Sequence, residues 1–480
     1  MGTGVETDVI VVGAGLAGLT AANRCLQHNL SVVVAEAGED ARYLCNSRIA
    51  SGSFNLAHTD PTLGADLLFE AILGDTEGAA DPAQGRAIAD VAGEAMQWFR
   101  NEGAKFIRVN RPGRQAATWS MAPPRPASPG FGWEGRGPDQ ALRSLATAFV
   151  ARGGTLSLAT RAHDLVLADG VCVGIKASKG GADFEIRAGH VVLADGGFQG
   201  NLDLVRRFIS PRPEKLVQRN AKTGRGDALL MAERIGAKLV GTNRFYGHLL
   251  VQEALSNALL WPYPTIDTLA SSAIVVDSKG RRFLDEGIGG VAMANVIAAL
   301  DDPLSVTTIF DSKLWETAGR SEFSPPNPYL VSGGGTLTTA ATIGELATAL
   351  GLPPDTLAET IAAYNRAVQG GGPFDPPRTP GRMFGVLRSS ETRTKLVPIV
   401  EPPFHAIKLA AGLTYTMGGI AIDGQARVLD TGDRPIRGLY AAGACTGGAE
   451  GGPMAGYIGG LCKALSLGYI AARTIAGQGW

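Results

Sequence analysis

Gly13, Gly15 and Gly18 follow one another in the spacing Gly-x-Gly-x-x-Gly, and Glu36 stands one strand further on. This set has a definite chemistry. The first glycine turns the backbone sharply, the second lets a pyrophosphate reach the main chain, and the third lets a helix lie close on a strand. An acid placed like Glu36 accepts hydrogen bonds from a ribose. The elements that must position these residues are legible around them. Asp8 to Val12 is a short apolar run with the length of a buried parallel strand, Leu19 to Leu26 reads as a helix, and Ser31 to Ala35 reads as a second strand. The helix start offers its amide donors and the positive end of its dipole to a pyrophosphate. The same glycine spacing recurs once, at Gly130, Gly132 and Gly135, but it follows a Pro-rich run and not an apolar strand, so no second strand-led fingerprint occurs in the 480 residues. The sequence therefore predicts one bound dinucleotide, FAD rather than a nicotinamide.

Other reactive side chains are dispersed. The six His form no HExxH-like pair, and Cys25, Cys45, Cys172, Cys445 and Cys462 form no CxxC, so no catalytic metal is expected. A scattered, odd set of thiols suits a reducing compartment. The residues ahead of the first strand include no basic region, and a cytoplasmic location is expected. Cys445 has no adjacent His to activate it and reads as packing. A formal net charge of −1 with 19% charged residues leaves no electrostatic footprint for nucleic acid. No apolar run reaches the roughly 18 residues of a membrane span. Gly accounts for 65 residues, roughly twice ordinary usage, without the triplet period of collagen. With 45% hydrophobic residues the chain reads as globular, in two or three packed units. Its glycine excess belongs where backbone approaches a ligand.

Three further segments resemble the soluble fumarate reductase and succinate dehydrogenase flavoprotein superfamily. Asn46 to Gly52 resembles its second flavin loop. Val191 to Phe198 resembles its VVLATGGF strand and turn, with Asp195 in place of Thr, and Gly438 to Gly448 resembles its C-terminal flavin turn. Phe245-Tyr246-Gly247-His248 and Arg282-Phe283-Leu284-Asp285-Glu286 look closest to tricarballylate dehydrogenase-like proteins. The resemblance implies an α/β fold in which a Rossmann-type FAD-binding domain, residues 1–247 and 406–480, is interrupted by an α+β capping domain at 248–405. A helical stretch from Thr342 to Val368, broken at Gly351-Leu352-Pro353-Pro354, falls within that cap.

The resemblance also implies FAD contacts. In the first loop and strand they are Gly13, Gly15, Leu16, Ala17, Gly18, Glu36 and Ala37. The second loop adds Asn46, Ser47, Arg48, Ala50, Ser51 and Gly52. Ala194, Gly196 and Gly197 follow, then Gly443, Ala444 and Gly459. Asn46 stands about where membrane-bound relatives carry the His that bonds FAD, which implies a non-covalent cofactor. Ala444 replaces a Glu that holds the ribityl chain, a role left to Glu450 or to backbone amides.

The family moves a hydride between carbon and flavin while a proton leaves or joins the neighbouring carbon. That needs an acid/base group and polar groups that polarise a carbonyl. Fumarate reductases donate the proton from an Arg that here falls at or beside Gly290, in a stretch without Arg. A second Arg clamps a substrate carboxylate; the matching residues 451–456 also lack one, and Met454 cannot replace a bidentate clamp. Tyr415 stands where the family has a His and becomes the first acid/base candidate. A phenol of pKa about 10 needs a neighbouring donor or positive field to act near neutrality. Tyrosines serve so in the related 3-ketosteroid dehydrogenases. His248 matches a substrate-contact His, Tyr246 shares its segment, and Tyr457 sits in a Gly-rich loop expected under the flavin. Trp133, Trp261 and Tyr263 are candidates for an apolar wall.

The expected function is that of an FAD-dependent oxidoreductase acting on CH–CH bonds. It would desaturate a cyclic or largely apolar carbonyl compound and pass electrons to an external acceptor: a quinone, dioxygen or a carrier protein. One alternative is an enoate or fumarate-type reductase of a carboxylic acid. The other is a flavin-binding electron-transfer subunit without substrate chemistry. An arginine folded in from a distant segment, such as Arg244 or Arg282, would restore the carboxylic-acid reading.

Overall fold

Val9, Ile10 and Val11 have no exposed surface, as a strand covered on both faces requires. The structure is a computed structural model and describes residues 5–109, 118–126, 130–321, 324–379 and 396–477. The chain first lays down β1 (Val5–Val12), α1 (Leu16–Gln27), β2 (Val32–Ala35), β3 (Thr155–Ser157) and β4 (Ala182–Leu193). It continues through β5 (Phe245–Val251), α2 (Asp267–Ser272), β6 (Ile274–Val276), α3 (Gly290–Ala298) and β7 (Thr307–Asp311). Then come α4 (Ile343–Leu350), α5 (Pro354–Gly370), β8 (Phe404–Thr416), β9 (Pro435–Ala441) and α6 (Gly460–Ile475).

Five of these strands form a parallel array in the order β9-β4-β1-β2-β3. Helices α1 and α6 pack against each other on this sheet. One hydrophobic core lies here. A second core surrounds the sheet whose spine is β8. The early part of β8 pairs antiparallel with β7, and its later part pairs antiparallel with β5. The boundaries expected near 247 and 405 therefore fall inside β5 and β8. The second core also recruits Phe198, Leu204, Val205 and Leu216, well ahead of 248. The helical stretch read from sequence is α4 and α5, with a Thr342–Glu345 capping box at its start and a left-handed Gly351 closing α4.

The pairing of β5 with β8 positions the site. Tyr246 lies opposite Tyr415 and His248 opposite Gly412, with a register shift after Tyr246 that leaves Thr414 as the extra residue of a bulge. Tyr246 and His248, two apart on one strand, share a face. Among the described residues no helix is long and apolar enough to cross a membrane.

Candidate active site

A cavity of about 1100 Å³ runs from the glycine-rich loop to the aromatic side chains of β5 and β8. That exceeds the roughly 300–1000 Å³ usual for one small ligand. At its first end, Gly13 has φ +98°, and a Cβ there would sit 2.7 Å from Ala194 O. A Cβ on Gly18 would sit 1.9 Å from Gly13 O, so this glycine serves the packing of α1 on β1. Gly15 differs: a Cβ there would meet only Ser47 Oγ, at 3.6 Å. Protein packing does not demand a glycine at 15, whereas a ligand approaching the backbone does. Gly15 caps α1 with its backbone and has no side chain to offer the helix start, while the Leu16 N–H donates to Ser47 Oγ at 3.2 Å. Glu36 accepts the amides of Ala14 at 2.8 Å and Gly38 at 2.7 Å, one on each oxygen. It braces the loop and keeps a second lone pair on each oxygen for a ribose. These features fit FAD.

Of the expected contacts, Gly13, Gly15, Leu16 and Ala17 line the cavity, with Glu36 and Ala37 at the end of β2. Asn46, Ser47, Ala50 and Ser51 line it from the second loop. Ala194, Gly196, Gly197, Gly443 and Ala444 complete the set. Four residues do not line it: Gly18, Arg48, Gly52 and Gly459. Arg48 is buried, donates to Ala41 O at 3.1 Å, lies 3.4 Å from Asp139, and covers the Tyr43 ring at 4.5 Å. Tyr43 in turn donates to Ala14 O at 2.8 Å, so Arg48 supports the loop from behind. Gly52 packs near Met121, and Gly459 leaves only 2.1 Å between an added Cβ and Asn55 O. The Asn46 side chain is spent on backbone, donating to Thr414 O and accepting from Ala221 N–H, both at 2.9 Å. Glu450 is engaged with Tyr415 and Lys463 rather than lining the cavity.

Asp195 is half-buried on the cavity wall. Its Oδ2 accepts Ala228 N–H at 2.9 Å, and its Oδ1 is buried with no partner among the described residues. Burial pushes its pKa up to about 7 from the ordinary 3.8, against the Ala228 amide. The native chain then keeps a proton that the unfolded chain releases, so stability falls as pH rises from about 4 to about 7, by at most about 3 kcal/mol once solvent at the wall is allowed for. Asp195→Asn is expected to remove this slope in the flavin-free protein. Melting temperatures would match at pH 4, and the gain over the parent would grow to pH 7 and then level.

The second end of the cavity holds Tyr246, His248, Tyr415 and Tyr457 together. His248 Nε2 is 3.0 Å from Tyr246 Oη, and His248 Nδ1 is 2.5 Å from Asp267 Oδ2. Asp267 Oδ1 accepts Leu249 N–H at 2.8 Å. Burial lowers the His248 pKa below its ordinary 6.5, although Asp267 pulls the other way. A neutral imidazole that donates Nδ1–H to Asp267 presents Nε2 as an acceptor for the Tyr246 hydroxyl. The Tyr246 ring stacks on Tyr457 at 4.0 Å, and Tyr457 Oη accepts Gly460 N–H at 3.1 Å. Asp267 owes its place to a glycine. A Cβ on Gly290, the first residue of α3, would lie 2.1 Å from Asp267 Cγ.

Tyr415 sits in a field opposite to the one a base requires. Its hydroxyl donates to Glu450 Oε2 at 3.1 Å, and Glu450 is ion-paired with buried Lys463. Burial and then the Glu450 charge hold the Tyr415 phenol well above its ordinary value. Burial and Tyr457 raise Tyr246 as well, but there Arg219 pulls downward. Neither phenol is ionised at neutral pH. A tyrosine in this setting acts only by handing its proton on while it takes another; Tyr246 has the neutral His248 imidazole as acceptor, whereas the acceptor of Tyr415, Glu450, is already ion-paired with Lys463.

Arg244 donates to Gly452 O and Asn243 O, and Arg282 is locked on Glu286; neither lines the cavity. Arg125, Arg136 and Arg219 do line it, and nothing in their spacing signals this. Trp261 and Tyr263 also line it, Trp261 stacked on Phe131 at 4.7 Å, whereas Trp133 does not. Cys445 is buried and donates to Leu193 O and Ala442 O. Burial pushes its thiol pKa up, as packing requires. Among the described residues no group of three or more His, Cys, Asp or Glu is placed to hold a metal.

A family model described as FAD binding domain matches residues 8–456. The NADH:fumarate oxidoreductase of Klebsiella pneumoniae is 27% identical over 456 residues, which cover 94% of this chain and 45% of that protein. The 4-oxocyclohexanecarboxylate 2-dehydrogenase of Sinomonas cyclohexanicum is 32% identical over 305 residues, 60% of this chain and 51% of that protein. The chain thus spans about half the length of these curated relatives. The 3-ketosteroid Δ1-dehydrogenase structure from Sterolibacterium denitrificans matches with a TM-score of 0.76 at 20% identity, covering 99% of this chain and 100% of that one. That likeness is one of fold.

Proposed function

The chain belongs to the FAD binding domain family, and on that basis we propose that it desaturates a carbonyl compound at the carbons α and β to the carbonyl. The observation that supports this most is the Tyr246–His248–Asp267 relay on the wall of the FAD cavity. Bound FAD supplies the hydride acceptor. The α C–H bond breaks with its proton passing to Tyr246 Oη, while the Tyr246 proton passes to His248 Nε2. Asp267 steadies the imidazolium so formed. The electron pair released at Cα forms the new double bond as hydride leaves Cβ. Tyr457, polarised by Gly460 N–H, is the donor to the carbonyl oxygen, where charge grows in the transition state.

Asn46 offers no nucleophile, which supports FAD held non-covalently. Electrons leave to an external quinone, dioxygen or carrier. The five cysteines are free thiols, in keeping with a cytoplasmic location. The Sinomonas relative is named for a ring keto acid, whose ketone is of the class proposed. The same groups run in reverse would reduce an α,β-unsaturated carbonyl, a reading in keeping with the NADH:fumarate oxidoreductase name of the Klebsiella relative.

Purified holoenzyme is expected to bleach an artificial electron acceptor with cyclic ketones and to release its flavin on acid precipitation. Reduction of fumarate by a reduced dye, faster than any ketone-dependent bleaching, would overturn the reading. A protonated His248 cannot take the Tyr246 proton, so kcat/KM is expected to fall as pH drops through a value below 6.5. That acid limb should vanish from the residual activity of His248→Gln.

A further inference from the structure

The cavity holds more positive charge than proton abstraction uses. Arg219 is 7% exposed; its Nη1 donates to Thr414 Oγ1 at 2.8 Å and its Nε to Pro262 O at 2.9 Å. Arg125 is 8% exposed, and its Nη2 donates to Gly130 O at 2.8 Å. Both guanidinium groups lie against one ring, Tyr263, at 4.9 and 4.1 Å from its centre. Arg219 stands beside the reacting groups, since Thr414 adjoins Tyr415 and the Arg219 charge is felt by Tyr246 and His248.

The partners of Arg219 are neutral, and among the described residues no carboxylate is within ion-pair reach of it. Burial, with Arg136 and Arg219 nearby, lowers the Arg125 pKa to about 10, which leaves it charged at neutral pH. Arg219, a cation withdrawn from water with neutral partners, calls for an anion in the space it faces. Guanidinium forks match a carboxylate in two-point contact. The pyrophosphate demand is met at the other end of the cavity, at the start of α1.

Resting on the dehydrogenase reading above, we propose that Arg219 and Arg125, seated on Tyr263, bind one carboxylate of the substrate. The substrate class is then a keto acid whose carboxylate and ketone are separated by the apolar body of the molecule. One end is anchored at the arginines, and the ketone is presented to Tyr457 and Tyr246.

Three probes test this on the holoenzyme: 4-oxocyclohexanecarboxylate, its methyl ester, and cyclohexanecarboxylate, which has no ketone to activate. The parent is expected to prefer the keto acid over the ester by about 100-fold in kcat/KM. In Arg219→Gln, and separately in Arg125→Gln, that preference should shrink to about threefold with FAD content unchanged. Arg219→Lys, which keeps the charge without the fork, should recover part of it. Cyclohexanecarboxylate should shift the flavin absorption bands of the parent and bind at least about tenfold more weakly to both Gln variants. That arm reads the site whether or not any ketone turns over, so failure of the carboxylate site and failure of the dehydrogenase reading are told apart. The proposal is overturned by equal losses for acid and ester, by loss of FAD from both Gln variants, or by no flavin shift with cyclohexanecarboxylate in the parent.

Discussion

Tyr246→Phe is expected to lower kcat by about 1000-fold, within the range for loss of a positioned acid/base group, while the protein keeps its FAD. The substitution removes one oxygen. The ring stays stacked on Tyr457 at 4.0 Å, and the lost bond to His248 costs only about 1–3 kcal/mol of stability, so the melting temperature should move by a few degrees at most. His248→Gln, which keeps an acceptor but no proton carrier, should fall between this variant and the parent. Tyr415→Phe is the discriminating comparison. Its hydroxyl donates to Glu450, a partner that opposes phenolate, so a loss of about tenfold or less is expected. Steady-state kinetics with the three variants decide the assignment: if Tyr415→Phe costs more than Tyr246→Phe, the base is Tyr415.

Gly15→Val should yield a folded protein that cannot hold FAD. The backbone at Gly15 is extended, with φ −73° and ψ −175°, which any residue adopts. The nearest atom to an added Cβ is Ser47 Oγ at 3.6 Å, an ordinary contact. The larger side chain therefore costs the empty fold little, but it stands where the pyrophosphate must meet the main chain. FAD affinity is expected to fall by at least about 100-fold, read by flavin absorbance after gel filtration, with the circular dichroism of the flavin-free protein unchanged. Gly18→Val is the contrast. Its Cβ would meet Gly13 O at 1.9 Å, so it should lose structure as well as cofactor. A Gly15→Val protein with full flavin content would show that the pyrophosphate lies elsewhere.

The nucleotide end of the site was legible because its constraints are local. A strand, a turn with glycines at fixed steps, a helix and an acid each leave a mark within a few residues, and all of them point to one ligand. The four candidate side chains at the other end were also named, Tyr246 and His248 through the resemblance of their segment. Their roles were not. Whether a tyrosine is base, donor or filler depends on its partner, and the partners arrive from elsewhere in the chain: Asp267 on α2, Glu450 after β9, Lys463 on α6. Arg125 and Arg219 were hidden for the same reason, since nothing in an isolated arginine shows that folding will bury it beside another. Arg48 misled in the opposite direction. Its neighbours Ser47 and Ala50 line the cavity, yet its own side chain turns away to Tyr43 and Asp139.

Gly290 couples two positions of the site to each other. The reductases this chain resembles place a proton-donating arginine at about that position, whereas here the missing side chain is the room in which Asp267 stands, 2.1 Å from where a Cβ would be. The two arrangements exclude each other within one backbone. A side chain gained at 290 displaces the Asp267 carboxylate before any new donor is useful, and an acid gained at 267 has nowhere to go until 290 is glycine. Positions 267 and 290 are thus sterically coupled. Single-site libraries at either position are therefore expected to find only losses, and gains are expected only where both change together.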